Sequence, residues 1–147
     1  MIRVLAALLV AIASLSACQS DPGPAIAISD VRILAPMAGS NAGVAYLSIA
    51  NNGTAPITIS RIRSPQFDRV EMHETLVDDD GIARMQALER VEIPVNEVAE
   101  FVAGGKHLML IGAGPDTAAG SPVTLEIEYN EGLLLVSATL QNRLPVE

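Results

Sequence analysis

Apolar and polar residues alternate along most of the chain with a period of two, the spacing of β-strands that bury one face. Ile26 to Leu34 alternates and stops before Pro36. Ala42 to Ala50 carries Val44, Tyr46, Leu47 and Ile49 and ends at the turn Asn51-Asn52-Gly53-Thr54. The third segment, Ile57 to Arg63, contains a conflict. Ile57, Ile59, Arg61 and Arg63 share one parity, so unbroken alternation would bury arginine beside isoleucine; a bulge near Ser60 would shift the phase and release them. Arg69 to Leu76 and Ile82 to Leu88 flank Asp78-Asp79-Asp80-Gly81, whose Asp-Gly pair signals a hairpin. Val91-Glu92-Ile93, Val98 to Val102 and His107 to Ile111 follow as short strands. Val123 to Tyr129 and Leu133 to Leu140, separated by Asn130-Glu131-Gly132, predict a C-terminal hairpin.

Pro and Gly interrupt the chain at short intervals, and no long window carries a 3.6-residue period. About nine or ten closely spaced strands with turn signals between them predict an all-β sandwich or barrel. The length of 147 residues suits one domain. Half of the residues are hydrophobic while aromatics make up 3%, so aliphatic side chains must fill the core.

The N-terminus has a different pattern. Met1-Ile2-Arg3 is short and basic, and Val4 to Leu15 is almost wholly apolar, too short to span a bilayer. The small residues of Leu15-Ser16-Ala17-Cys18 resemble the lipobox of bacterial lipoproteins. That resemblance implies a signal peptide over 1–17, cleavage before Cys18, lipidation of Cys18, and an extracytoplasmic protein anchored to a membrane. Residues 18–25 read as the lipidated cysteine and a polar, breaker-rich tether. Gln19 after the cysteine, by resemblance to lipoprotein sorting in a two-membrane bacterium, favours the outer membrane. The folded domain is then 26–147.

Charge and cysteine content narrow the function. A net charge of −8 with nine Lys and Arg, unclustered, argues against nucleic acid as a partner. Cys18 is the sole cysteine. An intramolecular disulfide, a blue-copper centre and a thiolate zinc site therefore cannot form within the chain. No G-x-S-x-G or phosphate-loop pattern occurs. The Asp78-Asp79-Asp80 triplet lacks the alternating oxygen ligands of a calcium loop. No enzyme activity is expected, since no base or substrate machinery is visible.

Histidine and methionine remain. The chain has two histidines, His73 and His107. His107 and Met109 stand one residue apart, which on a strand places both on one face with Leu108 on the other. His73 and Met85 lie on the two arms of the predicted acidic hairpin, which can bring them together. Thioether sulfur suits Cu(I), and imidazole also accepts copper. Each residue alone is also consistent with core packing or a strand-end position. Met72, next to His73, should face the core; Met37, in a loop after Pro36, has no assigned role.

The full spacing is His73, eleven residues, Met85, twenty-one residues, His107, one residue, Met109. This resembles the motif of bacterial copper chaperones of the PCu(A)C type. The resemblance extends through "VEMHETLVDDDGIARMQALERVEIP", "GGKHLMLIG" and "AYLSIANNG" to nearly the whole domain. It implies a single-domain, cupredoxin-like Greek-key β-sandwich and Cu(I) held by His73, Met85, His107 and Met109. It further implies delivery of copper outside the cytoplasm to a copper-accepting protein, such as a respiratory oxidase subunit or its assembly factors. Three departures stand out. Glu74 occupies a position where some members have a second Met, no His- and Met-rich C-terminal tail follows, and a lipid anchor is less usual than a free form. The expected affinity falls on acidification, because only neutral imidazole binds metal. The competing expectation is a metal-free envelope lipoprotein that serves as a scaffold or assembly partner.

Overall fold

The structure is a computed structural model that describes residues 25–143 apart from 38, 116 and 131. The expected signal segment 1–17, the lipidation site Cys18 and the tether up to residue 24 lie outside the described residues. The described residues form ten strands. In chain order these are β1 (Ile26–Leu34), β2 (Ala42–Asn51), β3 (Ile57–Arg63), β4 (Phe67–Val77), β5 (Ala83–Ala87), β6 (Val91–Ile93), β7 (Val98–Phe101), β8 (Lys106–Ala113), β9 (Pro122–Tyr129) and β10 (Gly132–Gln141). Every strand expected from alternation is present, with ends displaced by no more than two residues.

The strands run β5-β4-β8-β7-β2-β1 and then β10-β9-β3-β6 across two layers. The layers are joined where β1 and β10 pair in parallel at Ile33↔Leu140 and Leu34↔Gln141. The remaining long ladders, such as β4 with β8 and β9 with β10, are antiparallel. Chain neighbours change layer at β2 to β3, β3 to β4, β5 to β6, β6 to β7 and β8 to β9, which gives the expected Greek-key sandwich. Leu47, Ile49, Phe101, Leu108 and Leu110 from the first layer meet Ile59, Ile93, Leu125, Ile127 and Leu140 from the second, and all are essentially inaccessible to solvent. Met72 belongs to this core, as its parity requires.

Two bulges reconcile sequence with burial. Register shifts between Ile59 and Arg61, so Ile57, Ile59 and Ile62 are buried while Arg61 and Arg63 stay outside. Arg63 then pairs with Glu128 at 2.5 Å on the outer face. The second bulge departs from the alternation expected along β1. Register shifts between Ser29 and Arg32, and Asp30 takes a positive φ of 55°. Ile26 and Ile28 have one parity, Val31 and Ile33 the other, and the extra residue turns both pairs toward the core. Asp is among the few residues that tolerate this backbone region.

Asn51 organises the end of β2. Its amide donates to the carbonyls of Ala55 and Ile93, each at 2.9 Å, and its Oδ1 accepts from the Gly53 N–H at 3.0 Å. The side chain thereby closes the turn predicted at Asn51–Thr54 and ties it to β6 in the opposite layer. Replacing Asn51 with Leu strands these backbone groups, at about 1–3 kcal/mol for each one left unpaired and buried. The expected outcome is a loss of at least about 2 kcal/mol in chemical denaturation, against a near-neutral Thr54→Ala control on the same exposed turn.

Candidate metal centre

The acidic hairpin folds as its Asp-Gly pair predicts. Gly81 takes a φ of 78°, and Asp78 accepts from the Ile82 N–H at 2.8 Å and from Arg84 Nε at 3.2 Å. Asp78 thus serves the turn. Its arms β4 and β5 pair His73 with Ala87 and Thr75 with Met85. On its other side β4 pairs with β8, where His73 lies opposite His107 and Glu71 opposite Met109. Residues paired across a sheet share a face, so His73, Met85, His107 and Met109 all lie on one face of three adjacent strands. Met72, Leu108 and Leu110 occupy the opposite face, in the core. The four sequence-predicted donors therefore share the outer face of the first layer.

Their environments differ. His107 is 7% exposed, while Met85, on the edge strand β5, is 56% exposed. Met85, His107 and Met109 line an open depression of about 330 Å³ together with Val44, Tyr46 and Thr75. The imidazole rings of His73 and His107 have centroids 6.0 Å apart and are tilted by 43°. The face between them and Met85 carries Thr75 and Ala87, and Arg143 also lines the depression.

Hydrogen bonds settle the tautomers. His107 Nδ1 lies 3.0 Å from the Gly105 carbonyl oxygen. A carbonyl only accepts, so Nδ1 carries the hydrogen and a neutral ring keeps its lone pair on Nε2. His73 Nε2 lies 3.0 Å from Glu71 Oε2, so here Nε2 carries the hydrogen and the lone pair sits on Nδ1. His73 Nδ1 is buried and has no hydrogen-bond partner. A buried acceptor without a partner is costly, and a ligand supplied from outside would satisfy it. Among the described residues no three His, Cys, Asp or Glu side chains gather as a metal-binding group. The two histidines come together with methionine instead, and two imidazoles with two thioethers form a neutral, soft donor set of the kind that suits Cu(I).

The glycine pair before β8 has a definite task. Gly104 adopts a φ of 79°, a conformation open to glycine, and the chain turns from β7 into β8 over Val102–Lys106. The turn aims the Gly105 carbonyl back at the sheet, where it accepts from both the Thr75 N–H at 3.1 Å and His107. Glu74, the departure from the expected motif, points to the other face and bonds Lys106 Nζ at 2.9 Å, so residue 74 stands apart from the four donors. Met37 is exposed in its loop, outside the set. Two supporting groups escaped the sequence reading, Glu71 and the Gly105 carbonyl. Glu71 had a signal, since it lies two residues before His73 and so on the same face; the carbonyl had none.

Several known proteins share this architecture. The copper-bound PCuAC domain from PmoF2 superposes with a TM-score of 0.66 at 16% identity, over 82% of this chain and 95% of that one. CuI-DR1885 from Deinococcus radiodurans gives 0.61 at 22% identity, over 84% of this chain and 81% of that one. At such identities the likeness establishes the fold, and it agrees with the fold that the resemblance to the copper chaperones implied. A protein named as a putative lipoprotein of Leifsonia xyli subsp. xyli is 23% identical over 95 residues, which are 65% of this chain. The match spans 57% of that relative's length. The family described as "Putative lipoprotein LpqE-like" matches residues 26–135, from β1 into β10. That span holds all four predicted donors and both layers of the sandwich, and on it the chain belongs to the LpqE-like lipoprotein family, built on the fold of the PCuAC domains.

Proposed function

We propose that the protein is an extracytoplasmic Cu(I)-binding chaperone. In this reading His73, Met85, His107 and Met109 hold the ion, and Cys18 carries a lipid that keeps the domain at a membrane surface. The observation that carries the reading is the unpartnered, buried Nδ1 of His73, facing His107 across a ladder whose outer face also bears both methionines. Copper-bound relatives of the same fold support it. The lipoprotein family supports the anchored location, and Gln19 adds the outer membrane as the site in a two-membrane cell.

The donor set favours binding and release over catalysis. Neutral ligands leave the complex with the single positive charge of Cu(I), and no thiolate holds the metal by a strong anionic bond. An acceptor rich in thiolates can therefore take it. Met85 supports a route for exchange, because its strand is at the sheet edge and its side chain faces solvent. The acceptor proposed is a cuproprotein outside the cytoplasm, with respiratory oxidase copper centres and their assembly factors as the leading class.

Anaerobic Cu(I) titration against a competing chelator tests this directly. One Cu(I) per chain is expected. His107→Ala and Met109→Leu should each weaken binding by more than the roughly 10–100-fold typical of losing a supporting contact, with the β-sheet circular dichroism unchanged. A variant lacking all four donors that binds as tightly as wild type would overturn the site assignment, whereas a wild type that takes up no stoichiometric Cu(I) would return the protein to a metal-free scaffold. Acidification should weaken binding in the wild type, because protons compete for imidazole lone pairs and leave thioethers untouched; the apparent affinity across a pH series reads the sign.

A further inference from the structure

Three side chains follow one another along the outer face of β4. Arg69 Nε donates to Glu71 Oε1 at 2.7 Å, and His73 Nε2 lies 3.0 Å from Glu71 Oε2. Glu71 also stands opposite Met109, inside the candidate centre. Each carboxylate oxygen thus has its own donor, one on either side. His73 is the inner member, with its side chain 15% exposed, whereas Glu71 is 39% and Arg69 64% exposed. Ion pairs this open to water contribute little to folding stability. What the contact does control is chemical: a carboxylate cannot donate, so it holds the hydrogen on Nε2 and leaves Nδ1 as the donor atom.

Resting on the Cu(I) reading above, we propose that Glu71 is a positioning residue that commits His73 to copper through Nδ1, while the Gly105 carbonyl commits His107 to copper through Nε2. The two histidines then present different ring nitrogens to one ion. Glu71 would not touch the metal. It orients the ring, selects the nitrogen and, by its negative charge, makes the imidazole a better electron donor. Arg69 keeps the carboxylate turned toward its own Nε on one side and His73 on the other. The arrangement suits the sheet, because His73 and His107 are direct cross-strand neighbours on parallel-facing side chains. Their different hydrogen-bond partners, one from the same strand and one from the entering turn, give the rings unlike orientations, consistent with the 43° between their planes.

The test is histidine side-chain nitrogen NMR on the metal-free and Cu(I)-loaded protein, in the wild type and in Glu71→Leu and Glu71→Gln. In the metal-free wild type, His73 should show a protonated Nε2 and a bare Nδ1, and His107 the reverse. Cu(I) should shift His73 Nδ1 and His107 Nε2. Glu71→Leu should let His73 populate both tautomers and lose about 10–100-fold in Cu(I) affinity, with its unfolding midpoint held. Glu71→Gln, whose amide oxygen still accepts, should keep the wild-type tautomer and most of the affinity. A Cu(I) shift at His73 Nε2, or wild-type tautomer and affinity in Glu71→Leu, would overturn the role of Glu71 while leaving the copper site intact. No Cu(I)-dependent shift at either histidine would overturn the copper reading and this assignment with it. Should Glu71→Leu unfold, the wild-type nitrogen shifts alone decide.

Discussion

Strands β4 and β8 pair in a register that sets Met72 against Leu108 on one face and His73 against His107 on the other. The two faces are linked by the pleat. Leu108 and Leu110 have no exposed surface, so the ladder cannot slip by one residue without expelling them from the core and burying the histidine row in their place. Hydrophobic burial on the inner face thereby fixes polar geometry on the outer face. Burying a leucine side chain is worth about 1.5–3 kcal/mol, and several such side chains enforce this one register. The donors inherit a precision they could not establish for themselves as surface groups.

Rigidity is distributed unevenly around the candidate centre. His107 and Met109 stand on β8, which is paired to β4 on one side and to β2 on the other. His73 stands on β4, held between β8 and β5. Met85 alone comes from an edge strand of five residues, all of them exposed, at the end of a hairpin closed by Asp78 and Gly81. Three donors therefore sit on a fixed platform, and the fourth sits on the least supported element. In the proposed copper site the edge methionine would be the ligand most easily exchanged for one from a partner.

Nearly every strand was legible from alternation, and one bulge was legible from its failure. Arg61 and Arg63 cannot share a buried face with Ile57 and Ile59, and that conflict located the shift at Ser60. The bulge at Asp30 was not read, although Ile26 and Ile28 against Val31 and Ile33 show the same change of parity. There the residues at the shift were Ser29 and Asp30, small and polar groups whose exposure in mid-strand raised no conflict. That His107 and Met109 share a face, and that His73 and Met85 share one, was legible because strand parity and hairpin geometry are local properties; the spacing of the motif added a resemblance to them. Glu71 was passed over because a glutamate on an outer strand face has an ordinary solvated role by default.

The sequence by itself determined which residues could meet: His107 with Met109 by parity, His73 with Met85 through the Asp-Gly turn. It could not bring the two pairs together, because β4 and β8 are joined by contacts between residues more than thirty positions apart. Only the tertiary structure decided that they share a ladder, and that the shared face is the outer one. It also decided which nitrogen of each histidine is free. That choice depends on a carboxylate held by an arginine and on a carbonyl aimed by a glycine turn, and hydrogen-bond direction is a property of atoms in space that residue order does not encode.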